Sequence, residues 1–89
     1  TKAIEINPRY ADAYYRRGFL KYDLKDHSGA ISDFNKAIDI NPRYYDAYFV
    51  RGLIKYLVNN DTDGSCSDMR IAASLGHQDA KKIVDRDCD

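Results

Sequence analysis

Ile6–Tyr22 reads INPRYADAYYRRGFLKY, and Ile40–Tyr56 reads INPRYYDAYFVRGLIKY. Twelve of the 17 positions are identical at an offset of 34. A fixed period of this size marks a chain built from stacked units, each too small to bury its own apolar face. The period therefore governs how every local motif is read.

Within one period the apolar residues recur at helical spacing. Ala13, Tyr14, Phe19, Leu20, Tyr22 and Leu24 lie around Gly18 on a first helix. Ala30, Ile31, Phe34, Ala37, Ile38 and Ile40 lie on a second. Asp26-His27-Ser28-Gly29 separates them, and Asp or Ser there can cap the second helix. Asn41-Pro42 closes the unit, because the residue before a proline is pushed out of helical geometry. No stretch alternates as a strand does.

These residues resemble the tetratricopeptide repeat, whose pattern is roughly W-x2-L-G-x2-Y, then A-x3-F, then P. Tyr14-x2-Arg17-Gly18 stands for the first part, with the aromatic that follows moved to Tyr22. Ala30-x3-Phe34, Ala37 and Pro42 supply the rest. The next unit repeats Tyr48-x2-Arg51-Gly52 and Tyr56. The resemblance implies an all-α fold: antiparallel helix-turn-helix repeats stacked as an α-solenoid, in which the small residues let paired helices approach. The expected organisation is residues 1–8 as the end of a preceding repeat, 9–42 and 43–77 as two repeats, and 78–89 as a C-terminal covering helix. Thr1–Pro8 (TKAIEINP) matches Asn35–Pro42 (NKAIDINP) at all but two positions, and the chain starts without Met. Both features are expected of a C-terminal fragment of a longer array.

One stretch has a competing reading. Asn59–Met69, NNDTDGSCSDM, opens like a calcium loop, with acidic or amide residues at alternate positions before a Gly. Such a loop needs a bidentate carboxylate at its twelfth position, and that position is Arg70. At an offset of 35 the same letters echo Asp26–Phe34, with one residue inserted near Asn59-Asn60. The stretch is expected to be a helix-entry turn. Asn60-Asp61-Thr62 also forms a glycosylation triplet, a pattern common by chance.

Two cysteines flank the predicted turn at Gly76-His77. Cys66 lies ten residues before Gly76, and Cys88 lies eleven after His77. Antiparallel helices of equal arm length bring both to one open end, where a disulfide could fasten the covering helix. The alternative is a buried Cys66 and an unrelated thiol at Cys88. A disulfide would favour a periplasmic or secreted location. A zinc site is disfavoured, as there is no C-x2-C pair.

In the resembled family the first helix of each repeat lines a concave groove that binds peptides or protein segments. Here that face carries Asp12, Tyr15, Phe19 and Tyr22, then Asp46, Phe49, Leu53 and Tyr56, with Arg16 the nearby cation. A clamp of Lys, Arg and Asn for chaperone-tail carboxylates is missing from this stripe. Arg17 and Asp33, and Arg51 and Asp68, are expected to join the helices of each repeat as structural ion pairs. His27 and His77 fall in predicted turns, where solvated side chains are expected.

The function classes narrow accordingly. Fourteen basic and fourteen acidic residues cancel, which removes the electrostatic footprint of a nucleic-acid binder. Charges interrupt every apolar run short of a bilayer span. No nucleophile–base pair, phosphate loop or carboxylate cluster points to an enzyme, a cofactor or a metal. The expected function is a protein–protein interaction scaffold. Self-association through an apolar edge around Ala13 and Leu20, making a homo-oligomer, and a passive spacer role are the alternatives.

Overall fold

The structure, a computed structural model, describes residues 8–88, with side chains from Tyr10 onward. The expected end of a preceding repeat in residues 1–8 thus lies outside the described residues, apart from Pro8. Five helices follow in order: α1 (Pro8–Asp23), α2 (His27–Ile40), α3 (Tyr45–Leu57), α4 (Thr62–Ser74) and α5 (Gln78–Asp87). Sequential neighbours pack on one another, most extensively within the α1–α2 and α3–α4 pairs. The result is an all-α stack of helix pairs with α5 laid over the end, a slab of 40 × 28 × 16 Å.

The second helix of each pair starts where an Asp side chain satisfies a free amide. The Asp26 carboxylate accepts the Gly29 N–H at 3.0 Å, and Asp61 accepts the Gly64 N–H at 2.9 Å. The stretch from Asn59 to Met69 is therefore a turn and a capped helix start, with Asp61 occupied by the backbone. The inserted residue is absorbed before the cap. Asp26 N–H donates to Lys21 C=O, and Asp61 N–H donates to Lys55 C=O, so the extra residue only widens the turn. Lys25 (φ 66°) and Asn60 (φ 54°) supply the left-handed step in the two turns. Asn accepts that conformation more readily than Lys.

The core is a row of residues that joins α2 to α3, and then α3 to α4 and α5. Ala30, Phe34, Val50 and Ile54 form one buried cluster, and Tyr48, Met69, Ala72 and Ala80 form the next. Gly18 sits where a Cβ would lie 2.9 Å from the Phe34 ring, so only glycine lets α1 approach α2 this closely. Two buried carboxylates cross the same interfaces. Asp33 is gripped by Arg17 through two hydrogen bonds of 2.8 Å, with Lys21 Nζ at 3.2 Å. Asp68 is gripped by Arg51 at 2.9 and 2.7 Å, with Lys55 Nζ at 3.1 Å. Each carboxylate thus meets two cations, which offsets the cost of its burial. The Arg17 guanidinium, and then Lys21, hold the Asp33 carboxyl below its ordinary pKa against the opposing effect of burial.

Candidate partner-binding groove

The first helix of each pair turns one stripe away from its partner. Tyr15, Phe19 and Tyr22 from α1 and Asp46, Phe49, Val50 and Leu53 from α3 line one hollow. His77 and Asp79, at the start of α5, close its far side. The hollow has a volume of about 280 Å3 and is lined by no residue of α2 or α4.

The rings of this stripe are held as well as displayed. Tyr15 packs against Phe34 at 5.6 Å and Tyr44 at 5.0 Å, while Phe19 meets Tyr15 edge-on at 5.6 Å. Phe19 is 40% exposed and offers its free edge to the groove. Burial, and then the charges of Asp46 and Asp12, push the Tyr15 hydroxyl up to about 12. Tyr44 donates its hydroxyl to Asp12 Oδ1 at 3.0 Å, and Arg16 Nε donates to Asp12 Oδ2 at 2.9 Å. The Tyr44 hydroxyl is likewise raised, chiefly by burial and then by that bond. Asp12 and Arg16 are thus occupied with each other beside the hollow and do not line it. Tyr56 faces elsewhere. It lines a second hollow of about 680 Å3 with Leu57, Met69, Ile83 and the two cysteines. Leu53 borders both hollows.

His77 departs from the expected solvated turn residue. Its ring stacks on Phe49 with centroids 4.1 Å apart and planes 18° apart, and it meets Tyr45 edge-on. Nδ1 accepts the Ala80 N–H at 3.1 Å and so caps α5. That bond leaves the proton on Nε2, which points at Asp46 Oδ1 at 3.4 Å. Capping α5 and stacking on α3 at once, His77 makes α5 a wall of the groove. His27 is also half-buried, at the start of α2 with its ring 5.6 Å from Tyr22. His77 is placed by packing on a helix distant in sequence, which turn chemistry alone does not reveal, whereas His27 packs on Tyr22 just across its own turn.

The last helix is tied at both ends. Cys66 in α4 and Cys88 after α5 are joined by a disulfide, with Cα atoms 5.7 Å apart. Arg70, from the turn of α4 that follows Cys66, also donates to the Cys88 carbonyl. Arg51 adds a bond across repeats, reaching Asn35 Oδ1 at 2.7 Å. Lys21 and Lys55 were legible only as polar residues four positions after Arg17 and Arg51, and Asn35 only as a polar residue next to Phe34. Among the described residues no group of His, Cys, Asp or Glu is placed to hold a metal ion. No described helix is long and apolar enough to cross a membrane.

Stacked helix pairs with an aromatic channel on the side of their first helices define an α-solenoid repeat protein. The tetratricopeptide repeat profile matches residues 11–44, the first of the two periods. That match supports a tetratricopeptide repeat protein. Repeats of this family generally mediate protein–protein interactions and are typically non-enzymatic scaffolds. No curated protein gives a significant match to the chain.

Proposed function

We propose that the chain is a protein-interaction module that holds a peptide or an extended segment of a partner in the channel between α1, α3 and α5. The observation that carries this reading is the half-open hollow at Phe19, Tyr22, Phe49 and Leu53. Its aromatic rings are fixed by their own packing, so their edges are presented without further loss of side-chain freedom on binding. Aromatic anchors in a preformed depression are where binding energy concentrates at protein interfaces. The disulfide and the Arg70 contact support the same reading by holding α5, one wall of the channel, against α4.

The reading is tested by selecting binders from a random peptide library and mapping them by NMR shift perturbation. Expected is a footprint on Phe19, Tyr22 and Leu53, and loss of most binding in Phe19→Ser. A footprint on the outer faces of α2 and α4, unaffected by that substitution, overturns it.

A further inference from the structure

The hollow is unevenly charged although the chain is neutral overall. Among the described residues lining it are two carboxylates, Asp46 and Asp79, and neither a Lys nor an Arg. Both carboxylates stand in first helical turns, of α3 and α5, at one end of the hollow's wall. Asp12, on α1 beside them, has one oxygen on Arg16 and the other on Tyr44. Asp46 is different: its side chain is 47% exposed, and its ion-pair contact is the long one to His77 through Oδ1. Next to this acidic end the floor is apolar, built from Phe49, Val50 and Leu53. The Tyr15 hydroxyl is raised first by burial, and the charge of Asp46 adds to it.

We infer that the groove selects a segment carrying a Lys or Arg next to an aliphatic or aromatic side chain. The apolar side chain seats on Phe49 and Leu53, and the cation reaches Asp46 and Asp79. This rests on the groove reading above and adds the chemistry of its ligand. An anionic segment, such as an acidic or phosphorylated one, would bring like charge against two carboxylates in a half-desolvated hollow. A cation passing over Tyr15 or Phe19 gains a further attraction from the ring face. At about 280 Å3 the hollow lies just below the ~300–1,000 Å3 of small-molecule pockets, which suits a few side chains of an extended chain.

The test uses four capped, fluorescently labelled peptides of equal length on the full chain, read by fluorescence anisotropy. Their central residues are Lys-Leu-Phe, Ser-Leu-Phe, Glu-Leu-Phe and Lys-Ser-Ser. The expected order is Lys-Leu-Phe tightest, then Ser-Leu-Phe, then Glu-Leu-Phe, with steps of about three- to tenfold that shrink as salt is raised. Lys-Ser-Ser should bind far more weakly than Lys-Leu-Phe. In Asp46→Asn/Asp79→Asn, checked for helix content by circular dichroism, the advantage of Lys over Ser should vanish while Ser-Leu-Phe still binds. The peptide series on the unchanged chain stands even if that variant is unstable. Equal binding of the Lys and Glu peptides, no binding of Lys-Leu-Phe at millimolar concentration, or a Lys preference that survives the double substitution overturns the inference. Binding of Ser-Leu-Phe that is lost in Phe19→Ser while charge makes no difference removes the ligand chemistry and leaves the groove standing. Binding of every peptide unchanged in Phe19→Ser removes the groove itself.

Discussion

Leu20 and Ile54 occupy the same place in the 34-residue period, yet Leu20 is 63% exposed and Ile54 is 1% exposed. The same contrast runs along both first helices. Tyr48 is buried, while its counterpart Tyr14 is only half-buried. Arg51 keeps 18% of its side-chain surface and reaches across to Asn35, whereas Arg17 keeps 54%. In the second pair this face packs on α2, and in the first pair Tyr10, Leu20 and Leu24 lie exposed on it. Equivalent positions therefore carry different energies, because burial belongs to the neighbour as much as to the residue. The second pair differs in one further respect. It is fastened to α5 by the disulfide, and the first pair has no covalent tie among the described residues.

The comparison breaks most sharply at Ile54. Ile54→Ala should destabilise the protein by about 2–5 kcal/mol, while Leu20→Ala should stay within about 0.5 kcal/mol. Urea unfolding of both variants checks this, and equal losses would mean that Leu20 is covered in solution. Removing the tether comes next. Its cysteines are 22 residues apart, and opening such a loop costs on the order of 3 kcal/mol in the chain-entropy model. Reduction, or Cys66→Ser/Cys88→Ser, should speed hydrogen exchange in α5 and the start of α4 and leave α1 and α2 unchanged. Exchange that rises evenly over all helices would show that the two pairs unfold as one unit.

The smallest effect concerns Asp33. Its folded-state pKa is lowered, so its contribution to stability is present above the ordinary carboxylate value and is lost as pH falls through the lower folded value. Arg17 is the main cause of that lowering. In Arg17→Gln the Asp33 pKa, followed by NMR titration, should move back up, and the acid-side loss of stability should become shallower. An unmoved Asp33 would assign its charge to Lys21 instead.

Much of this architecture follows from local chemistry. The repeat places helix pairs, Asp26 and Asp61 cap the second helices, and the Asn41-Pro42 step ends α2, since each depends only on residues a few positions apart. The groove was partly legible. Tyr15, Phe19, Tyr22, Phe49 and Leu53 share a helical stripe and line one hollow, but Tyr56 falls in its neighbour and Asp12 and Arg16 pair beside it. His77, Asp79 and Tyr44 escaped the pattern, because no spacing along the chain brings the start of α5 to Phe49 or Tyr44 to Asp12.

The sequence by itself determined the helical repeat, its caps and its breaks, because short-range hydrogen bonding and apolar periodicity are properties of neighbouring residues. Only the tertiary structure decided which copy of each residue is buried, how His77 and Asp79 close the channel, and which carboxylates face it with a hydrogen-bonding oxygen to spare. Those outcomes depend on the approach of helices tens of residues apart, where a side chain's surroundings come from other elements of the stack.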